Sequence, residues 1–115
     1  VSNEDEIKRY LLKENFIFVK LHELKFIDQV KLFYNAKYVV GLHGAGFANI
    51  VFCKSKARIV ELRGVHSGKQ YENLAKSNDL DYNSITVIAN QNRPNQQGSI
   101  HIPIESLVNL LKSFE

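Results

Sequence analysis

The sequence holds a single cysteine, Cys53, so no disulfide can form within the chain. This fits a reducing compartment. No apolar run approaches the ~20 residues that a bilayer-spanning helix requires. The opening "VSNEDEIKRY" has neither the basic start nor the apolar stretch of a secretory leader. A P-loop is absent too, because no G-K-[ST] follows any glycine turn. The four histidines, His22, His43, His66 and His101, lack metal-ligand spacing. Ser67 and Ser99 lack a nucleophile elbow. The net charge of +3 is too small to argue for nucleic acid, and none is expected as a partner.

What is present is an ordinary globular balance, with 44% hydrophobic and 23% charged residues in a 115-residue chain sized for one domain. Asn3 and Glu6 resemble a capping box for a helix over about 4–14. "FIFVKL" (16–21) reads as a strand, and Phe26, Ile27, Val30, Phe33 and Tyr34 recur at helical spacing over about 25–36. "KYVVGL" (37–42) reads as a buried strand, followed by a short helix over about 45–52 and a polar "CKSK" loop. Further strands are expected at 58–63 and 82–89, with a helix from about Gly68 between them. A turn-rich loop spans 90–99, and a closing helix begins at Pro103. Strands alternating with helices, some apolar on both faces, predict a doubly wound, mainly parallel, Rossmann-like α/β sheet. Such domains usually open with a strand, whereas this chain opens with a helix. The expectation is therefore a single domain over 1–115 that is part of a larger protein.

The stretch "VVGLHGAGFANIVF" (39–52) carries the chemistry. In an open parallel sheet, ligands bind beyond the carboxyl ends of the strands, where "GLHGAG" falls. Gly44 and Gly46 permit a tight turn and close approach to a ligand, and the next helix directs free N–H groups and its positive dipole end to the same place. His43 at the lip can donate to a phosphate oxygen. A pure packing role for the glycines is the competing reading. The dinucleotide fingerprint G-x-G-x-x-G is incomplete, since its third position is Asn49, so a nicotinamide cofactor fits poorly. Glu61, ending the next strand, either accepts from ribose hydroxyls or pairs with a nearby cation. Lys54, Lys56, Arg58 and Arg63 form either a solvated surface or a local positive field. Asp79 and Asp81 spell the D-x-D of metal-dependent sugar transferases, but their place between helix and strand favours a turn.

Residues 26–62, "FIDQVKLFYNAKYVVGLHGAGFANIVFCKSKARIVEL", resemble the core of glycosyltransferase family 61. The shared features are Asp28-Gln29, Ala36 followed by "VVGLHGA", Asn49, and "ARIVEL". "NEDEI" and "YENLAKSNDLDY" resemble the family's flanking segments. The chain departs from the pattern at Phe47-Ala48, where many members have Leu-Thr, and at Ser55-Lys56, where a Gly usually precedes the alanine. The resemblance implies the carboxyl-terminal, donor-binding half of a two-domain GT-B enzyme. Its reaction would be inverting transfer from a nucleotide sugar, usually a UDP-sugar, to a glycan hydroxyl, as in capsular polysaccharide biosynthesis, without cofactor or essential metal. By the same resemblance His43, Gly44, Ala45, Gly46 and Asn49 line the diphosphate pocket, and Glu61 faces the nucleoside. The amino-terminal half would supply acceptor contacts. The catalytic base stays unassigned, with His43 one candidate. The setting would be cytoplasmic, with or without membrane association, in a bacterium, and the Golgi or ER lumen in a eukaryote. The rival class is a non-catalytic nucleotide-binding or interaction module on the same fold.

Overall fold

The structure is a computed structural model that describes residues 2–88 and 100–115. The element order is α1 (Glu4–Lys13), a 3-10 turn (Leu21–Glu23), α2 (Phe26–Asn35), β1 (Tyr38–Leu42), a 3-10 helix (Ala45–Phe52), β2 (Arg58–Gly64), α3 (Gln70–Ser77), β3 (Asp81–Val87) and α4 (Ile104–Lys112). The three strands form one parallel sheet in the order β1-β2-β3. Strands added in one direction through right-handed crossovers place both connections on the same face. The 3-10 helix and α3 accordingly share a core with Phe33, Phe47, Ile50, Ile59, Tyr71 and Ala75. The opposite face packs Val60, Leu62 and Ile85 against Ile7 of α1, Ile100, Ile102 and Leu107 of α4. Both faces are covered, as the doubly wound α/β expectation requires.

Alternation along β2 is the feature that builds the site. Val60 and Leu62 enter the apolar core on one face, while Ile59 and Glu61 face the other. Register puts Gly41 and Ser84 on either side of Glu61, and Val39 and Tyr82 on either side of Ile59.

Several sequence expectations need correction. Residues 16–20 form no strand, and Ile17 and Phe18 are exposed. A strand needs a neighbour for its backbone groups, and a groove of about 1160 Å³, lined by Phe16, Ile17, Phe18 and Tyr38 among others, separates this segment from β1. For the same reason β1 is only half-buried, with Tyr38 and Leu42 exposed. Of the five apolar positions expected to form one face of α2, only Phe33 is buried, while Phe26, Ile27 and Tyr34 are exposed. The short helix expected over 45–52 is present at Ala45–Phe52, and it winds as a 3-10 helix. Its composition, AGFANIVF, joins a glycine to two β-branched residues, which weakens the α form.

The Asn3–Glu6 capping box is also not formed as a cap. Asn3 makes no side-chain bond to the free amides of α1. It donates to Glu6 Oε1 (2.9 Å) and to the Ile102 carbonyl, and accepts from the Ile102 N–H at 3.0 Å. Asn3 therefore clamps the segment before α4 to the start of α1, because burying Ile102 brings a backbone within reach that needs both a donor and an acceptor. The expected loop at 90–99 lies outside the described residues.

Candidate functional site

The carboxyl ends of the three parallel strands meet at one end of the sheet, and β1 delivers His43 there. The His43 N–H donates to the Leu62 carbonyl (3.0 Å), extending the ladder one residue past the strand and fixing the side chain beside β2. His43 Nδ1 hydrogen-bonds Glu61 Oε2. The second oxygen of Glu61 accepts from the Tyr82 hydroxyl. Glu61 is fully buried, and among the described residues it is the one buried charged side chain. A buried carboxylate is tolerated when its oxygens are hydrogen-bonded and countered. Here β1 and β3 bring those partners from either side.

The rest of the His43 environment comes from α3. Gln70 Nε2 lies 3.2 Å from His43 Nε2. The Tyr71 ring stands edge-on to the imidazole with centroids 4.9 Å apart, and Phe47 meets Tyr71 from the other side at 5.5 Å. Phe47 fits because Gly41 has no side chain: a Cβ there would stand 3.0 Å from its ring. The Tyr82 hydroxyl is held well above the usual phenol range, first by burial and then by Glu61, so it remains a donor.

The two glycines of the turn play different parts. Gly44 is extended (φ 173°), a conformation open to any residue, and so does not require glycine for its backbone. A Cβ on it would meet only the Leu42 carbonyl, 4.0 Å away, so the space beside it is open. Gly46 is packed, since a Cβ there would stand 3.0 Å from Leu21 Cδ1. The Phe47 N–H closes the first helical turn on the Gly44 carbonyl at 2.9 Å. Among the described residues the N–H groups of Gly44 and Gly46 have no acceptor. Ala45 is the first residue of the 3-10 helix.

Asn49 stands apart from this group. It donates to Gln29 Oε1 at 2.8 Å, and Gln29 in turn donates to the Leu21 and Leu24 carbonyls at 2.8 and 3.2 Å. Asn49 and Gln29 thus bracket the 21–24 segment onto the 3-10 helix. Arg63, two residues past Glu61 on the same face of β2, donates to the carbonyls of Ser67 and Gly68. Its Nε is buried without a partner among the described residues, so this cation is only partly satisfied by the protein. Lys56 and Asp79 pair on the surface at 3.2 Å, and Asp81 lies 3.7 Å from Arg58. The "D-x-D" residues are thus occupied with neighbouring cations at the turn, in line with the turn reading.

The structure therefore gathers His43, Gly44, Gly46, Glu61 and Arg63 at one end of the sheet, with Glu61 beneath His43 and closed off from solvent. Sequence reasoning missed Gln70, Tyr71 and Tyr82 as partners of this site. For Tyr82 a signal was there, a residue with a polar tip on a strand expected to be buried. The other two depend on how α3 docks.

Residues 1–60 match the profile of the family Glycosyltransferase 61. The chain belongs to glycosyltransferase family 61. Its relatives include the EGF domain-specific O-linked N-acetylglucosamine transferase of Mus musculus, 28% identical over 87 residues. That match covers 71% of this chain and 16% of the mouse protein. The protein of the same name from Pan troglodytes is 32% identical over 63 residues, 55% of this chain and 12% of the relative. The family 61 chain thus spans a small part of the curated relatives it matches. No solved structure matches it. Among the described residues no helix is long and apolar enough to cross a membrane.

Proposed function

We propose that this family 61 chain is the donor-binding part of an inverting glycosyltransferase. In this reading the diphosphate of a nucleotide sugar, a UDP-sugar, lies over the carboxyl end of β1. The observation that carries it is the conjunction at the turn. An imidazole is anchored on a buried carboxylate beside a glycine with open space around it, and the N–H groups of Gly44 and Gly46 have no acceptor among the described residues. Arg63 adds a partly unsatisfied guanidinium on the same face. Amides, imidazole and guanidinium together suit a leaving group whose negative charge grows as the glycosidic bond breaks. Glu61 has both oxygens engaged within the protein, so its part is to hold His43, with no oxygen free for a ribose hydroxyl.

The relatives' names extend the proposal to N-acetylglucosamine as the sugar and to an O-linked protein hydroxyl as the acceptor, alongside the glycan acceptor that the sequence suggested. The acceptor base stays unassigned, with His43 one candidate. Calorimetric titration with UDP, UDP-sugar and NAD tests the donor assignment. UDP and UDP-sugar are expected to bind, with NAD weaker. Tighter NAD binding would transfer the site to the dinucleotide enzymes. Binding of UDP by a full-length protein that never consumes UDP-sugar would make it a non-catalytic module.

A further inference from the structure

Resting on that donor reading, the buried Glu61 adds something the family assignment does not contain. An imidazole has two nitrogens, and a hydrogen bond at one decides what the other can do. Nδ1 of His43 faces Glu61, an anion with no exposure to solvent, and an ionised carboxylate only accepts. Nδ1 therefore carries a proton, and Nε2 is the nitrogen left to meet a ligand. In the structure Nε2 is paired with the Gln70 amide, an exposed contact on the first residue of α3. A ligand can take that place without disturbing the core. A neutral ring offers a lone pair at Nε2, which repels a phosphate oxygen. A ring protonated there donates to it and stands as a cation between two anions, Glu61 within and the phosphate without.

We infer that Glu61 is a positioning residue that locks Nδ1–H of His43 and so makes nucleoside-diphosphate binding proton-linked, with one proton from solvent taken up at Nε2 as Gln70 gives way. Besides Glu61, the elements around His43 carry Arg63 on β2, Tyr82 on β3, and Tyr71, Glu72 and Lys76 on α3 with Lys69 flanking it. Tyr38, Arg58 and Asp81 pair in register at the opposite, amino-terminal end of the strands. Tyr82 stays neutral, its hydroxyl held above the usual phenol range by burial and by Glu61. Glu72 is held below the usual carboxylate range, chiefly by its hydrogen bond to Lys76, and is already ionised. His43, whose Nε2 is paired only with the exposed Gln70 amide, is the group placed to take up the proton.

The sign follows directly. The charged ring binds the anion, so affinity is greatest at acid pH and falls once pH is high enough for the free ring to lose the second proton. One proton corresponds to a loss of about tenfold in affinity per pH unit beyond that point. The test is calorimetry of this chain with a UDP-sugar over a pH series, in buffers of different ionisation enthalpy that report proton uptake. The diphosphate of a UDP-sugar is a diester and lacks the second ionisation near neutral pH that the terminal phosphate of UDP has. Uptake approaching one proton supports the inference. Binding of the UDP-sugar with no pH dependence and no uptake overturns it while leaving the donor site standing. Absence of UDP-sugar binding at every pH overturns the donor reading itself, and the inference with it.

Two variants separate positioning from mere support. Glu61→Gln keeps an acceptor for Nδ1 but removes the charge, and should move the pH profile towards acid. Tyr82→Phe removes the competing donor, leaves more of the carboxylate charge to His43, and should move it towards alkali. A wild-type profile in both variants overturns the role of Glu61. Nitrogen NMR of the His43 ring gives a readout that needs no ligand: Nδ1–H in the free wild-type chain is the expected tautomer, and Nε2–H overturns the proposed lock.

Discussion

The two faces of β2 show how one strand serves two ends. On the face turned to α1 and α4, Val60 and Leu62 join an all-apolar cluster with Ile7, Ile85, Ile102 and Leu107. On the face turned to α3, Ile59 is apolar, but the next inward residue is Glu61, buried and held by two polar partners. The first face gains stability from the apolar area it removes from water. A carboxylate buried in the second costs desolvation that its hydrogen bonds only offset, which is characteristic of a position kept for what it does. The difference sets a scaffold side of the sheet apart from the side that carries the candidate site.

The strongest way to break this comparison is at the scaffold. Leu107→Ala removes a fully buried side chain and is expected to cost about 2–5 kcal/mol, read as a shifted denaturation midpoint. A smaller loss, with ligand binding unchanged, would mean that α4 contributes less to the core than its burial indicates. Glu61→Ala is expected to cost about 1–3 kcal/mol, because the Tyr82 hydroxyl loses its buried acceptor. The double change Glu61→Leu with Tyr82→Phe should recover much of that stability and still lack UDP binding. If the double variant bound UDP as the wild type does, the polar face would be scaffold like the other.

His43→Ala sharpens the contrast from the side of function. The change also leaves one oxygen of the buried Glu61 without its partner, so it should cost about 1–3 kcal/mol of stability, while UDP affinity falls about tenfold, near 1.4 kcal/mol. Unchanged affinity would remove His43 from the anion site. Alkaline pH gives a smaller effect on the same face. Burial pushes the Cys53 thiol up to about 11, above its value in the unfolded chain. Its contribution to stability is complete below the unfolded thiol pKa and is lost as pH rises towards about 11, because only the unfolded chain ionises readily. Cys53→Ala should flatten that part of the stability profile, leaving the loss that Tyr82 causes in the same direction at still higher pH. The smallest change is expected at the exposed Lys56–Asp79 pair, where Lys56→Gln should alter stability by about 0–1 kcal/mol.

Much of the fold was legible in local pattern. The three strands, α1 and α4 appear within a residue or two of where apolar spacing puts them, and the parallel sheet follows from their alternation with helices. The segment 16–20 shows the limit of such reading. Its apolar, β-favouring composition is that of a strand, yet strand formation requires a neighbour in register, which no local pattern supplies. Asn3 shows the same limit in small, since a residue suited to cap its own helix instead joined a backbone 99 positions away. In the candidate site, His43 and the glycines stood out because they follow a strand at its carboxyl end, where Gly44 faces open space and Gly46 takes the packing role. Glu61 was visible as a candidate, but its partners were not.

By itself the sequence determined the strand–helix alternation, the place of the "HGAG" turn at a strand's carboxyl end and the resemblance to family 61. All of these are written in neighbouring residues and short spacings. Only the tertiary structure decided that Glu61 is sealed beneath His43, that Tyr82 and Gln70 complete the arrangement, and that Asn49 braces a loop beside it. Those contacts join residues about 20 or more positions apart. They depend on the register between strands and the docking of α3 on the sheet, and a chain sets both only once its core closes.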